Sequence, residues 1–245
     1  FPAVSPKGQG MPANPVSRKY PVPVLVLIAL AGFLAYSNTF HAPFQFDDEA
    51  YVVNNPAIRS FRYLSSSAEV NALTERSPTA LPTALRYAFP TRITGYLSFA
   101  ANYRLHGLNV AGYHVFNLLI HILNGMLLFL VLRAILATGR FAPPPGEAPP
   151  WPRGMIPVAS SLLFVCHPIQ TQAVTYITQR FASLASFFCF LSLLSYIRAR
   201  LAPPGYKRGG MYIAALVPAV AAMLTKEFAF TLPFVIALAE TTFFE

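Results

Sequence analysis

The chain has 245 residues, of which 55% are hydrophobic and only 11% are charged. Soluble domains typically carry about 25% charged residues, and the apolar residues here form long blocks without a polar face. This composition excludes an ordinary soluble domain. The net charge of +9 is compatible with nucleic-acid binding, but Arg and Lys flank the apolar blocks, as topogenic charges do in membrane proteins. We predict an all-α transmembrane protein without a nucleic-acid partner.

The N-terminal residues 1–20 precede the first apolar block and are predicted to be a cytoplasmic tail. Because Met11 offers a start of its own, residues 1–10 are interpreted as an extension before it. A bilayer core of roughly 30 Å takes about 20 helical residues to cross. Residues 21–38 form the first candidate span, and the two basic residues before it favour a cytoplasmic start.

Five further apolar blocks follow, so we predict about six membrane helices within residues 21–245. Several blocks are shorter than a full crossing, and short or interrupted membrane helices usually pack around a cavity. The proline-rich stretch 140–154 cannot be helical and is predicted to be a semi-rigid loop. The further predicted spans cover residues 112–136, 155–166, 181–197, 211–224 and 228–244.

The distribution of Lys and Arg predicts the orientation. Loops 133–153 and 198–208 are short and basic, so they are expected on the cytoplasmic side. Residues 39–111, 167–180 and 225–227 are then non-cytoplasmic. The first outer loop, 39–111, is expected to translocate regardless of its charge and to carry short amphipathic helices. A multi-pass protein of the bacterial inner membrane, active on its non-cytoplasmic face, is the expected location.

The densest polar clusters of the chain all fall on that predicted outer side. Asp47 and Asp48 follow an aromatic flank soon after the first span, and only one of two adjacent carboxylates is expected to face a given cavity. A helix N-cap or a surface charge cluster is the alternative interpretation for this pair. The remaining outer clusters are His167–Gln172, Gln179–Arg180 and Lys226–Glu227.

The basic residues of these clusters have structural and functional interpretations. In the structural interpretation, His167 and Arg180 mark the two ends of an amphipathic helix at the membrane interface. In the functional interpretation, both residues bind an anionic group, since the planar Arg fork suits phosphate. Lys226 and Glu227 lie between two spans, where charges pair with a partner or line a polar cavity. One interpretation pairs them with each other, although adjacent helical positions do not face one another.

A polar stripe lies along the second span. Hydrogen-bonded helix packing is the favoured interpretation for most of it, while His114, at the outer end, is a candidate for the site. No metal ligand is assigned, because His114 and His121 lie roughly 10 Å apart along a helix. Adjacent aspartates nevertheless permit a divalent metal as cofactor. The stripe consists of His114, Asn117, His121 and Asn124.

Four stretches in the same order resemble one family. The run from Phe46 to Pro56 resembles the first outer loop of the membrane O-mannosyltransferases that carry C-terminal tetratricopeptide repeats, and of their bacterial relatives. Residues 102–121, 167–174 and 224–227 match further stretches of that family. The family is similar to the GT-C glycosyltransferases, which are multi-span membrane enzymes.

The resemblance implies transfer of a sugar from a polyprenyl-phosphate donor to a hydroxyl of a protein or glycan acceptor at the outer face. Asp47 or Asp48, with Asp47 preferred, would be the general base, and the sugar would be transferred with inversion. Cations would stabilise the departing lipid phosphate. The candidate substrate-binding residues are Arg92, His114, His167, Gln172, Arg180, Lys226 and Glu227.

The sequence also departs from the family. Gln172 stands where the family commonly has Glu, and Ile93 follows Arg92 where Pro is usual. The later GT-C helices and the repeats are absent, so the chain is interpreted as an incomplete GT-C-like part of a longer protein. A membrane scaffold that kept the fold without its chemistry is one alternative. A transporter is another, although it would need polar groups near the bilayer midplane.

Overall fold

The structure is a computed structural model that describes residues 21–65, 72, 91–144, 147 and 152–244. All regular elements of these residues are helical, as the composition predicts. Seven helices have twelve residues or more. They are α1 Pro21–Ala35, α2 Ile93–His106, α3 Val110–Leu136, α4 Met155–Cys166, α5 Arg180–Leu201, α6 Tyr206–Met223 and α7 Leu232–Phe243.

Three predictions fall wholly or largely outside the described residues. They concern the cytoplasmic tail 1–20, most of segment 66–90 in the first outer loop, and most of segment 145–151 in the proline-rich loop. The described part of the first outer loop contains short helical segments and then α2. These segments are the 3-10 turn Thr39–His41, the π-turn Glu49–Val53, the 3-10 turn Pro56–Arg59 and the single α-turn Arg62–Ser65.

The predicted spans match the helices in position and differ from them at the ends. The span 155–166 coincides with α4. Helix α5 starts one residue earlier than predicted and ends four later, at Leu201, because the Arg and Ala residues after the apolar block are good helix formers. The span 228–244 is divided into the 3-10 segment Glu227–Thr231 and α7, since Pro233 lacks an N–H and suits the first turn of a new helix.

Within the described residues, two helices are long and apolar enough to cross a membrane. They are α3 and the segment Ile177–Leu201, which comprises α5 and the 3-10 turn before it. Helices α1 and α4 are apolar but have only 15 and 12 residues. At 1.5 Å per residue, α4 is about 18 Å long, well below a bilayer core of about 30 Å. The predicted total of about six spans therefore stays a prediction.

Successive helices from α3 to α7 run antiparallel, which gives the bundle two distinct ends. The first half of α3 contacts the end of α4, where His121 Nε2 donates to the Val165 carbonyl at 3.0 Å. The first turn of α5 lies beside α3, where Arg180 Nε donates to Asn117 Oδ1 at 2.7 Å. Near the opposite end, the Tyr196 hydroxyl of α5 donates to Glu240 of α7 at 2.6 Å.

The end of the bundle that carries residues 39–65 is here called the loop end. Ala35, Val110, Cys166, Arg180, Met223 and Leu232 all lie there. The opposite end is called the arginine end, and its helix termini are Pro21, Leu136, Met155, Leu201, Tyr206 and Phe243. The four predicted polar clusters consequently share the loop end.

The polar stripe of α3 packs this helix against its neighbours through hydrogen bonds to backbone carbonyls. This confirms the packing interpretation of Asn117, His121 and Asn124. Such bonds satisfy polar groups in a bundle interior, and all four carbonyls lie at or beside helix ends. The accepting carbonyls belong to Val165 (from His121, 3.0 Å), Val174 and Ile177 (from Asn117, 3.3 and 3.2 Å) and Ser183 (from Asn124, 2.8 Å).

Helices α1, α3 and α4 approach closely at one glycine. A Cβ atom on Gly125 would lie 2.2 Å from Val165 Cγ2 and 3.2 Å from Ile28 Cγ2. Val165 and Ile28 are both fully buried, so no larger residue fits at position 125 without moving a helix. Small residues at helix contacts are typical of membrane bundles, where packing rather than water exclusion holds helices together.

Candidate active site at the loop end

The acidic pair is divided between the interior and the surface. Asp48 is only 1% exposed, and its carboxylate accepts two backbone N–H groups, from Gln45 at 3.0 Å and from Thr178 at 2.8 Å. Asp47 is exposed, and its carboxylate has no hydrogen bond to any residue in the described ranges. In this conformation only Asp47 presents a carboxylate to a ligand.

The backbone before the pair has an unusual conformation. Phe46 has a φ of 47°, a left-handed value that non-glycine residues rarely adopt. Its ring is 84% exposed and meets the ring of Tyr176 edge-on, with 6.2 Å between centroids. The Tyr176 hydroxyl oxygen accepts the N–H of Asp47 at 3.2 Å. Tyr176 therefore contacts both residues of the Phe46–Asp47 step.

A series of hydrogen bonds ties residues 36–48 to the bundle. The Tyr36 hydroxyl donates to the His167 carbonyl at 3.0 Å, and Thr39 Oγ1 donates to Thr175 Oγ1 at 2.8 Å. His114 Nε2 donates to the Ala42 carbonyl at 2.8 Å. His114 is fully buried, so it holds the loop rather than facing the surface as a candidate site residue would.

Arg92, Lys226 and Glu227 come together at the loop end. Arg92 Nε and Nη2 donate to the two Glu227 carboxylate oxygens at 2.7 and 2.9 Å. Among the described residues, the Lys226 ammonium forms no hydrogen bond or ion pair. The interpretation that Lys226 and Glu227 pair with each other is wrong: Lys226 has an extended backbone, so adjacent side chains diverge, and the Arg92 fork matches the carboxylate.

The electrostatics of this group leave one positive charge in excess. Burial lowers the pKa of Lys226, the Arg92 charge lowers it further, and Glu227 opposes both effects. The hydrogen bond from Arg92 holds the pKa of Glu227 below its ordinary value. Burial opposes the charge on Arg92, but the hydrogen bond to Glu227 and the negative charge of Glu227 act together against it, and the Arg92 pKa is raised. The half-buried Lys226 ammonium is therefore the available cation.

The ring of Phe181 connects the acidic loop with this cationic group. It lies 5.9 Å from the Tyr51 ring and 5.1 Å from the Tyr96 ring. The Arg92 guanidinium carbon lies 5.6 Å from its centroid. A Cβ atom on Gly95 would lie 2.3 Å from Phe181 Cδ1, so glycine permits α2 to approach. Both halves of the candidate site thus pack on one aromatic cluster.

Arg180 lies in the interior of the loop end and is completely buried. Its Nε donates to Asn117 Oδ1 at 2.7 Å, and its Nη2 donates to Asn102 Oδ1 at 2.8 Å and to the Tyr113 carbonyl at 3.0 Å. The Phe99 ring covers the guanidinium at 4.4 Å. Arg180 cross-links α2, α3 and α5, and the phosphate-binding role predicted for it does not fit this arrangement.

His167 and Gln172 are both exposed at the loop end. His167 Nδ1 accepts the N–H of Ile169 at 3.2 Å, which leaves Nε2 as the ring nitrogen available to a ligand. The Gln172 side chain has no hydrogen bond to a residue within the described ranges. Both remain candidates for ligand contact, although the structure does not join them directly to Asp47.

The single amphipathic helix predicted between His167 and Gln179 is wrong. The segment consists of a 3-10 turn, an α-turn and a second 3-10 turn, separated by the extended backbone of Tyr176. Ile169, an apolar residue of this segment, is 73% exposed. Contacts with other parts of the chain explain the break. The side chains of Asn117 and Asp48 form hydrogen bonds with backbone groups of this segment, and these bonds replace helical ones.

Two residues that hold the acidic pair were not predicted. Tyr176 and Thr178 lie 129 and 130 positions from their acidic partners. No sequence pattern marks a phenol or a backbone N–H as such a partner. Among the described residues, no three His, Cys, Asp or Glu side chains group as metal ligands.

Comparison with curated proteins shows what the chain is similar to. The chain is 32% identical to protein O-mannosyl-transferase Tmtc1 of Drosophila melanogaster over 212 residues, which cover 84% of this chain and 22% of that protein. Most of the chain is homologous to the protein O-mannosyl-transferases. The predicted resemblance is thereby confirmed.

Other protein O-mannosyl-transferases match shorter parts. Tmtc3 of Drosophila melanogaster is 40% identical over 110 residues, covering 42% of this chain and 12% of that protein. Human TMTC3 is 26% identical over 166 residues, covering 67% of this chain and 16% of that protein. The chain spans about a fifth of the length of the curated relatives it matches. No family model and no solved structure matches it.

Proposed function

We propose that the chain is the membrane-embedded part of a glycosyltransferase that moves a sugar from a polyprenyl-phosphate donor to a hydroxyl of a protein or glycan. Homology to the protein O-mannosyl-transferases supports the reaction class. One structural observation carries the proposal. The exposed carboxylate of Asp47 and the unpaired ammonium of Lys226 lie on two segments that pack around Phe181.

The proposed reaction is an inverting displacement. Asp47 accepts the proton of the acceptor hydroxyl as its oxygen attacks the anomeric carbon of the sugar. The bond between that carbon and the lipid phosphate oxygen breaks, and the phosphate leaves with the electron pair. Lys226 stabilises the negative charge that develops on the leaving group. Arg92, held by Glu227, contributes positive charge beside it.

We further propose that the protein is a multi-pass protein of the bacterial inner membrane and that its loop end lies on the non-cytoplasmic face. The arginine end carries the short basic loops, and such loops stay in the cytoplasm. Two helices of spanning length support insertion. The shorter α1, α4 and α7 would then complete the bundle alongside them.

Cysteine labelling tests this orientation. In a background with Cys166 and Cys189 replaced by alanine, we expect Gln172→Cys to react with an impermeant thiol reagent added outside intact cells. Glu147→Cys, exposed near the arginine end, should react only after permeabilisation. Labelling is read by a gel shift. The reverse pattern would place the loop end in the cytoplasm and contradict an outer active site.

Transfer of a sugar by the full-length protein tests the function itself. We expect the protein, purified in detergent, to move mannose from a synthetic polyprenyl-phosphate donor to a Ser/Thr peptide or a glycan acceptor. The new glycosidic bond should have the opposite anomeric configuration to the donor. Failure with several donors, by a protein with a cooperative unfolding transition, would reject the enzyme in favour of a membrane scaffold.

Lys226 sets an expected pH limit on donor use. Replacing Lys226 by methionine should lower kcat/KM for the donor about 10²-fold, comparable with the loss of one donor to a developing oxyanion. Only the protonated ammonium binds phosphate well. Burial and the charge of Arg92 lower the pKa of Lys226. Wild-type kcat/KM should therefore begin to fall at a pH below about 10.4, the usual pKa of lysine.

The control for this limit is Lys226→Arg, since a guanidinium keeps its charge to above about pH 12. We expect this variant to move the alkaline fall in kcat/KM to higher pH, even if its maximum rate is lower. Rates measured between about pH 7 and 11 separate the two proteins. An unchanged alkaline limit in Lys226→Arg would show that another group titrates there.

A further inference from the structure

We infer that Asp48 is a positioning residue that fixes the turn carrying Asp47 and takes no part in proton transfer. This inference rests on the proposed function, in which Asp47 is the general base. It separates two adjacent carboxylates that the sequence treats as equivalent. Two sets of contacts and the burial of Asp48 support it.

The first contact closes the turn on itself. The Asp48 carboxylate accepts the Gln45 N–H at 3.0 Å, and the Asp48 N–H donates to the Gln45 carbonyl at 2.9 Å. This reciprocal pairing resembles a capping box, in which an acidic side chain accepts the N–H at the start of a helical turn. Phe46 lies inside this turn with its left-handed φ of 47°. Asp48 therefore stabilises a backbone conformation that Phe46 does not favour.

The second contact attaches the turn to the bundle. The other Asp48 oxygen accepts the Thr178 N–H at 2.8 Å, and Thr178 lies two residues before the start of α5. Next to it, the Tyr176 hydroxyl accepts the Asp47 N–H at 3.2 Å. Two consecutive residues of the turn are thus bound to positions 178 and 176, which fixes both the place and the direction of the Asp47 backbone.

The third point is that Asp48 has no access to an acceptor. A general base must come within about 2.6–3.2 Å of the proton donor, but Asp48 is 1% exposed and both of its oxygens are hydrogen-bonded. Releasing it would leave the buried Thr178 N–H and the partly buried Gln45 N–H without acceptors, which is unfavourable. Asp47 meets the requirement because its carboxylate is exposed.

The test compares Asp48→Asn, Asp47→Asn and Tyr176→Phe in the full-length protein. The amide introduced by Asp48→Asn has a single acceptor oxygen and can accept only one of the two N–H bonds, so the turn loosens. We expect kcat to fall about 10- to 100-fold with the donor KM changed by less than about twofold. Residual activity should retain the acid limb of the pH–rate profile, which reports ionisation of Asp47. In Asp47→Asn that limb should be absent.

Tyr176→Phe is the milder variant, because it removes one hydrogen bond and keeps the ring. We expect a fall in kcat of about threefold to tenfold, again with the acid limb retained. If Asp48→Asn does not fold, this variant tests the anchoring of the turn, and the acid limb in Asp47→Asn decides which carboxylate is the base. An acid limb lost in Asp48→Asn but kept in Asp47→Asn would overturn the inference and make Asp48 the base. An unchanged kcat in Tyr176→Phe and in folded Asp48→Asn would also overturn it.

Hydrogen–deuterium exchange gives a readout that does not depend on catalysis. Peptides covering residues 45–48 should exchange at least about tenfold faster in Asp48→Asn than in wild type, and at the wild-type rate in Asp47→Asn. A wild-type protein that transfers no sugar but shows this contrast would reject the proposed function and retain the anchor. Equal protection in both variants would reject the anchor whatever the activity.

Discussion

Replacing Asp47 by asparagine is expected to lower sugar transfer by at least about 10²-fold, because general-base catalysis contributes roughly 10²–10⁴ to a rate. Asparagine has nearly the same shape but cannot accept the proton. Since the Asp47 carboxylate is exposed and makes no hydrogen bond to a described residue, the free energy of unfolding should change by no more than about 0.5 kcal/mol. Initial rates with saturating donor and acceptor measure the effect.

Glu49 provides a matched control for this prediction. It is an exposed acidic residue two positions further along the same loop, and its carboxylate accepts only the side chain of Asn54, at 3.3 Å. Glu49→Gln removes the same charge without touching Asp47, so its rate should stay within about twofold of wild type. Equal losses in both variants would indicate that the loop charge matters rather than a base at position 47. A wild-type rate in Asp47→Asn would reject the assignment outright.

Much of the fold could be predicted because its signals are local. Helix α4 was predicted end to end, since Gly154 and His167-Pro168 bound one apolar block and proline restricts the residue before it. The shared end of the polar clusters was predictable for a related reason. Short connections make neighbouring helices antiparallel, so alternate loops return to the same end of the bundle.

The pairings within the site could not be predicted, because they join positions far apart in the sequence. Arg92 and Glu227 are separated by 135 positions, and nothing local to either residue identifies the other. Lys226 was considered a partner for Glu227 only because it is adjacent. The same limit applies to Asp48, whose neighbour Asp47 has the same chemistry. Only burial distinguishes the two carboxylates, and burial depends on how the loop packs against residues 176–178.

Arg180 shows how a correct location can carry a wrong interpretation. The sequence predicts Arg180 at the start of its helix, which the structure confirms, and also predicts that it faces a phosphate. A usable signal was present: Asn117 belongs to the polar stripe of α3, and polar residues in membrane helices commonly face the interior and pair with other polar groups. Asn102, in α2 of the first outer loop, supplies a second amide. Two amide oxygens and one cation form such a set.

Replacing Arg180 by leucine is expected to lower the free energy of unfolding by about 3 kcal/mol or more, which would be the largest stability effect among the substitutions considered. The amide oxygens of Asn102 and Asn117 would remain buried without their guanidinium donor, and each unsatisfied group costs about 1–3 kcal/mol. Thermal unfolding in detergent, followed by intrinsic fluorescence, measures the change.

Arg198→Leu is the matched control, because Arg198 is exposed near the other end of the same helix and its guanidinium has no hydrogen bond or ion pair within the described part of the chain. Its replacement should change the free energy of unfolding by no more than about 0.5 kcal/mol. A stable Arg180→Leu protein whose KM for the lipid-phosphate donor rises would contradict the structural role. It would show that the Arg180 guanidinium can reach the donor. Arg180 would then bind the phosphate, as the sequence predicts.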